Sequence, residues 1–350
     1  MHPPQFSICI PNFNYLQYLT LTCQSVTTQS YPNFEILISD NQSTDGSIDF
    51  IEDFRKSNDH VKVNINPVNL GFSANLEKVT SLASGKFFIL LSSDDLMNAG
   101  CLQQYAKLIK ACNNDRIVVG SSVFKIDSGG SVIERSLPDP EFWKESDIDQ
   151  MLSEAMGVRV YKVPAKEMLQ RCLEVMGNPY YFLTVCYPAE LYHKVGGYSG
   201  GRMYNPDKWF NWKLFTQAEF VFLIDEPLFS YRWHTQNQVA IETSFGHLKY
   251  LVDEYRNAIE LTDDMLRVAS MNRSSMEINF VSRNIYRHGI GEFSKGRWFK
   301  SMRIFFFGLA TFPGTMITRK YFLLYVLLLL TTPIGSFIAA RLINLLTTKK

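Results

Sequence analysis

The sequence predicts an α/β fold built on a mostly parallel sheet with flanking helices, and two observations carry the prediction. Short apolar runs alternate with segments of helical period over residues 6–95, and a polar cluster follows each of four such runs. Phe6–Ile10 is a buried-type strand closed by Pro11 and Asn12. Tyr15–Gln29 has helical period and is stopped at Tyr31-Pro32-Asn33, where proline fixes φ and removes a donor. Phe34–Ser39 is the second strand, followed by the polar stretch Asp40–Gly46 and a helix over Ser47–Ser57. Val61–Asn66 is the third strand, Ser73–Ala83 a helix closed by Gly85, and Lys86–Ser92 the fourth strand, which runs into Ser93-Asp94-Asp95. A helix follows near Asn98–Cys112, then a hairpin of Ser121–Ile126 and Val132–Arg135 around Ser128-Gly129-Gly130. Helical patterns near Trp143–Met156 and Ala165–Met176 fall in a less regular region.

Ligands bind outside the carboxyl ends of the strands in such sheets. Pro11–Asn14, Asp40–Asp45, Asn69–Gly71 and Ser93–Asp95 would therefore share one mouth. Neither G-x-G-x-x-G after the first strand nor a P-loop is present, so the mouth lacks a glycine cradle for phosphates. Carboxylates at that place would need a divalent cation to hold a phosphate group.

Composition sets the class. Hydrophobic residues make up 46% of the 350 and aromatics 14%, enough apolar side chain to exclude a disordered chain. A net charge of +1 argues against a protein that works by neutralising nucleic-acid phosphates. The average hides a polarity: Phe293–Lys350 holds nine Lys and Arg and no Asp or Glu, leaving 26 basic and 34 acidic residues in 1–292. Within that basic stretch Tyr321–Ala340 carries no charge, interrupted by Pro333 and Gly335. Such a tail is expected to contact a membrane surface, in the interface plane or as a re-entrant segment, with a true span or a buried core helix as the alternatives, and with Lys and Arg meeting anionic headgroups. Met1-His2-Pro3-Pro4 leads straight into a strand, without a secretory pattern, so the body is expected on the cytoplasmic side. Six cysteines without C-x-x-C or zinc spacing read as reduced thiols.

The strings SICIPNFN at Ser7–Asn14, EILISDNQSTDGS at Glu35–Ser47, NLG at Asn69–Gly71 and ASGKFFILLSSDD at Ala83–Asp95 resemble the nucleotide-sugar-binding domain of family-2 inverting glycosyltransferases of the GT-A fold. The resemblance extends through YPAELYHKVGGY at Tyr187–Tyr198 and PLFSYRWHTQNQ at Pro227–Gln238, covering residues 6–235. It implies a catalytic domain over 1–240, with a nucleotide-sugar-binding half at 1–98 and an acceptor-side half at 99–240. A helical packing segment at 241–296 and the tail at 297–350 follow.

By the same resemblance Pro11, Asn12 and Asn14 would line a nucleoside pocket, and Asp40 would accept from the base imide, which suits UDP or dTDP donors. Asn69 and Ser93 would add donor contacts. Asp94 would ligate magnesium or manganese as part of the family's D-x-D element, whose first Asp is here Ser92, so that Asp95 is expected to help. Arg232 would meet the diphosphate, and His234 the diphosphate or the cation. Asp207 falls on the general-base position, with Pro206 where Glu is usual and Lys213 where an arginine is common. An inverting transfer needs such a carboxylate to take the acceptor's proton; Asp207 also suits a helix N-cap. Trp209 and Trp212, one turn apart, would be core, or one would stack on an acceptor ring. The implied reaction moves a sugar from a nucleoside-diphosphate-sugar to a lipid-linked glycan at the cytoplasmic face of the inner membrane, in O-antigen or capsule assembly. Rival readings are a catalytically silent, membrane-tethered scaffold and a transferase with a protein or simple lipid acceptor.

Overall fold

The computed structural model describes residues 4–198, 206–234, 247–318 and 320–332. The chain divides into two compact units, residues 1–172 with 177–241, and residues 173–176 with 242–350.

The first unit is a ten-stranded sheet with helices around it. Its strands are β1 Phe6–Asn12, β2 Phe34–Asp40, β3 Val61–Ile65, β4 Phe87–Leu90, β5 Leu96–Met97, β6 Ile117–Ile126, β7 Val132–Arg135, β8 Val160–Pro164, β9 Cys186–Pro188 and β10 Phe220–Arg232. They lie in the order β3-β2-β1-β4-β9-β6-β10-β5, with β7 on β6 and β8 on β10. The helices are α1 Leu16–Thr27, α2 Ser47–Lys56, α3 Phe72–Thr80, α4 Cys101–Cys112, α5 Gln150–Met156, α6 Ala165–Val175, α7 Ala189–Lys194 and α8 Pro206–Phe215. α6 runs from this unit into residues 173–176 of the other.

β1 through β4 pair in parallel, as the alternation of strands and helices requires. β1 is buried at every residue, which is why it reads as a continuous apolar run rather than an alternation. Beyond β4 the expected mostly parallel sheet gives way to a mixed one. β9 enters antiparallel between β4 and β6, β6 and β10 run parallel, and β5, β7 and β8 are antiparallel additions. β5 and β9 have two and three residues, too few for any periodicity to announce them. The 121–126/132–135 hairpin forms as β6 and β7, with β6 extended back to Ile117.

The segment Gly177–Tyr181 is fastened against this sheet. Tyr180 Oη donates to the Phe222 carbonyl at 2.8 Å, and a Cβ on Gly120 would stand 2.3 Å from the Tyr180 ring. Trp212 Nε1 donates to the Gly177 carbonyl at 2.9 Å. All six cysteines are free, five of them buried.

The second unit is helical: α9 His247–Glu260, α10 Asp263–Val268, α11 Arg273–Phe280, a π-helical turn Val281–Tyr286, α12 Arg287–Ser294, α13 Trp298–Thr311, α14 Pro313–Ile317 and α15 Lys320–Leu330. Phe280, Ile285, Ile304 and Met316 form its core. Gly308 admits Ile285 against α13, and Tyr286 Oη donates to the Met316 carbonyl at 2.9 Å. Phe299, Arg303 and Phe306 lie on one exposed side of α13, and Leu323, Leu327 and Leu330 on one exposed side of α15. No helix among the described residues is long and apolar enough to cross a membrane. α15 has 11 residues, about 16 Å of helix against a hydrocarbon core of about 30 Å. The remainder of the expected membrane segment, residues 333–350, lies outside the described residues.

Gly120→Ala will force Tyr180 off the sheet and lower stability by about 1–3 kcal/mol. A denaturant midpoint unchanged from wild type would contradict that contact.

Candidate active site

Three polar groups occupy the expected site positions, each built by a different set of elements. The first is at the ends of β1, β2 and β3. Asp40 is wholly buried and accepts from Asn12 Nδ2 at 2.7 Å, from the Ser43 amide at 2.7 Å and from Ser43 Oγ at 2.8 Å. Asn12 is itself 1% exposed and Pro11 is buried. Pro11 and Asn12 were expected to line a nucleoside pocket and Asp40 to meet the base; all three lie under the surface, and Asp40 with Asn12 holds the 40–46 loop against β1. Asn14 is exposed, with φ 56°, the left-handed region that asparagine tolerates best after glycine. Its Oδ1 accepts from the Thr44 amide at 2.8 Å. Asn69, also exposed, accepts from Asn41 Nδ2 at 2.7 Å and from the Gly71 amide at 2.8 Å.

Behind these loops lies an asparagine network that the sequence reading missed. Asn66 Nδ2 donates to Asn41 and Asn75, and Asn75 Nδ2 donates to the Ser39 carbonyl. These amides satisfy backbone groups that strand ends leave unpaired. The only signal was the recurrence of Asn just past β1, β2 and β3, which reads equally as ordinary loop composition.

The second group joins β4 to the end of β10. Asp94 Oδ2 lies 3.0 Å from His234 Nε2, and the His234 ring packs against Tyr18 with centroids 4.9 Å apart. Asp95, expected to help hold a cation, is 2% exposed and accepts from the Arg232 amide at 2.8 Å. Burial and the neighbouring Asp94 charge push its carboxyl well above the usual carboxylate range, opposed by the hydrogen bonds from Arg232 and Ser92. Arg232, expected at the diphosphate, is 1% exposed. Its Nε donates to the Asp94 carbonyl and its Nη1 to the Asp127 and Ser128 carbonyls, while the guanidinium lies 4.8 Å from the Tyr18 ring centroid. The residue is a strut inside the fold. Ser93 is likewise buried, its carbonyl accepting from Thr22 Oγ1 at 3.0 Å. Among the described residues no three His, Cys, Asp or Glu side chains gather as a metal site. Asp94 and His234 thus supply one oxygen and one nitrogen donor, a fit for a cation that takes its other ligands from phosphate and water.

The third group surrounds Asp207, in the first turn of α8 behind Pro206 at N1, where proline's missing N–H costs nothing. Asp207 Oδ2 accepts from Asn178 Nδ2 at 2.7 Å, and Asn178 Oδ1 accepts from Asn211 Nδ2 at 2.9 Å. Desolvation raises the Asp207 pKa, opposed by the helix-start amides of Asp207 and Lys208, the Lys208 charge and the Asn178 amide. Trp209 and Trp212 are both buried, so neither presents a face to a ligand. Lys213 Nζ donates to the Val195 and Gly197 carbonyls and ties α8 to the end of α7. Asn178 also lines a cleft of about 550 Å³ with Ser122, Ser136, Asp139, Trp143 and Tyr181.

Residues 7–163 match the family model described as Glycosyl transferase family 2. Residues 7–163 are thus similar to a family-2 glycosyltransferase domain. An uncharacterized glycosyltransferase of Haemophilus influenzae is 26% identical over 155 residues, 44% of this chain and 47% of that protein. The GalNAc(5)-diNAcBac-PP-undecaprenol beta-1,3-glucosyltransferase of Campylobacter jejuni is 29% identical over 100 residues, 28% of this chain and 32% of that protein. The chain thus spans half or less of the length of these relatives. Among solved structures, S. aureus TarS 1–349 in complex with UDP-GlcNAc superposes with a TM-score of 0.62 at 18% identity, covering 89% of this chain and 83% of that one. The domain is therefore an α/β, GT-A-like fold on a mixed sheet.

Arg232→Met will leave three backbone carbonyls without their charged donor and lower stability by about 2–3 kcal/mol. Chemical denaturation of the purified variant measures this, and a loss below about 0.5 kcal/mol, the scatter of an ordinary surface change, would remove the strut role.

Proposed function

We propose that the protein is a glycosyltransferase of surface-polysaccharide assembly that moves a sugar, with inversion, from a nucleoside-diphosphate-sugar to a hydroxyl of a lipid-linked glycan. The observation that carries the reading is Asp207: a carboxylate at a helix start, oriented by Asn178, which itself lines a cleft large enough for a sugar. The similarity to a family-2 domain, the UDP-GlcNAc bound by TarS and the undecaprenol-linked acceptor in the Campylobacter relative's name support the donor and acceptor classes.

In this mechanism the donor lies over the β1–β4 strand ends, with exposed Asn14 and Asn69 toward the nucleoside and Asp94 toward the diphosphate. Asp94 and His234 would hold a magnesium or manganese ion, which supplies charge neutralisation of the diphosphate. Asp207 takes the proton of the acceptor hydroxyl as that oxygen attacks the anomeric carbon from the face opposite the leaving nucleoside diphosphate. A base with a raised pKa is the better proton acceptor near neutral pH.

Localisation at the cytoplasmic membrane surface is part of the proposal. The exposed Phe299, Arg303 and Phe306 of α13 and the leucines of α15 suit an in-plane contact with anionic lipid, given nine basic and no acidic residues from Phe293 onward.

Release of nucleoside diphosphate from a panel of UDP-, dTDP-, GDP- and CDP-sugars, with and without EDTA, tests the activity; a polyprenyl-linked glycan extract serves as acceptor. One donor turned over and suppressed by EDTA is expected, and silence across the panel with intact nucleotide binding would favour the scaffold reading. Asp207→Asn will lower kcat at least 10²-fold. Because the base must be ionised, kcat will fall as pH drops through a pKa above the ordinary Asp value of about 3.9. A raised folded-state pKa contributes stability at low pH and loses it as pH rises through that pKa. At neutral pH Asp207→Asn will therefore be no less stable than wild type, although inactive. Reversing charge with Lys300→Glu and Arg303→Glu will weaken pelleting with phosphatidylglycerol vesicles, and undiminished pelleting would remove these residues from the membrane contact.

A further inference from the structure

Asp207 does not hold its own orientation. Its Oδ2 meets the Asn178 side-chain amide at 2.7 Å, and that amide's oxygen is fixed by Asn211 Nδ2 at 2.9 Å. Asn211 is 1% exposed and sits on α8 one turn after Asp207, so donor and target share one helix and Asn178 bridges them from outside it. Segment 177–181 cannot drift, because Trp212 Nε1 holds the Gly177 carbonyl and Tyr180 lies over Gly120 with its hydroxyl on Phe222. The chain of bonds also assigns the amide: a carboxylate demands the Asn178 N–H₂, and its oxygen then accepts from Asn211.

The same Asn178 lines the cleft of about 550 Å³, whose other walls include the half-buried Tyr181 ring and the exposed Asp139 carboxylate. Rings with hydroxyl-bonding groups are what a pyranose needs for its apolar faces and its hydroxyls. We propose that Asn178 is the positioning residue of this site, holding one carboxylate oxygen of Asp207 so that the other faces a sugar hydroxyl presented from the 121–143/178–181 cleft. The proposal rests on the reading of Asp207 as the base and adds to it the residue that sets the base's geometry and the side from which the acceptor arrives. Asn178 stabilises the charged form of the base, which keeps the carboxyl from rising further than its burial dictates. The other charged or titratable groups facing Asp207 are Lys208 on α8, whose charge favours the carboxylate, and the Tyr198 hydroxyl, which interacts with the Asp207 charge.

The test uses the full chain and two readouts. Carboxyl-¹³C-aspartate NMR, with Asp207→Asn to assign the signal, follows the Asp207 titration in wild type, Asn178→Ala and Asn178→Asp. The expected result is a midpoint raised in Asn178→Ala and raised further in Asn178→Asp, where two carboxylates share one site. UDP release from UDP-GlcNAc, or from whichever donor of the panel is turned over, should show kcat lowered about 10-fold or more in Asn178→Ala with its acid limb moved up in pH and donor KM unchanged. Should Asn178→Ala fail to fold, Asn211→Leu, which frees the amide oxygen without removing the Asn178 donor, must show the same shifts at smaller size. Titration and pH profile coincident with wild type would overturn the proposal. If Asp207→Asn keeps full activity, the base reading itself has failed; if Asp207→Asn is inactive while the Asn178 variants match wild type, only the positioning role falls.

Discussion

The buried Arg232 guanidinium is the interaction on which the rest of the catalytic unit depends. It stands at the end of β10, the longest strand, and donates to carbonyls of two separate turns, Asp94 after β4 and Asp127–Ser128 between β6 and β7. Its own amide is held by the Asp95 carboxylate. A buried guanidinium demands acceptors for its fixed fork of donors, and these turns provide them only in one relative arrangement. Two residues further on His234 consequently lands on Asp94, so that this pairing is a by-product of the strut.

The strand ends of β1, β2 and β3 show the same division between support and contact. Asp40 and Asn12 close on one another and on Ser43 below the surface. The residues left exposed are Asn14, in a left-handed conformation, and Asn69, bonded to the asparagine network. Most of these buried polar groups are paired, Asn12 Oδ1 excepted, and the bonds they make hold the loops in place. Asp207 follows the same logic from another direction: its amide partner comes from a loop, and the loop is immobilised by a glycine that lets a tyrosine ring lie on the sheet.

The helical unit obeys a different constraint. Its interior is a set of aromatic contacts, Tyr255 with Phe280 and Phe312 among them, closed by the tight approach at Gly308. The outer sides of α13 and α15 keep large apolar residues in solvent among unbalanced positive charge. Such surfaces are uncommon on a free monomer.

Four parallel strands, their helices and the positions of Asp40, Asp94 and Asp207 were legible in the sequence, because parallel strands and helices impose local periods and the motif blocks are contiguous. The two- and three-residue strands β5 and β9 were not, since pairing with β10 and β4 creates them. Nor was the mixed direction of the sheet beyond β4, which is decided by where β9 inserts. Which polar residue faces outward was equally hidden: Arg232 and Asp95 carry the same types as ligand-binding side chains, and only packing turned them inward. Asn178 and Asn211 stand 33 residues apart, without a motif, and bond to each other, with Asn178 on the Asp207 carboxylate, because Tyr180 docks on Gly120. Sequence determined the chemical groups and the strand ends that carry them; tertiary structure decided which of those groups are buried props and which remain free to act, because burial and long-range hydrogen bonds are properties of the packed chain.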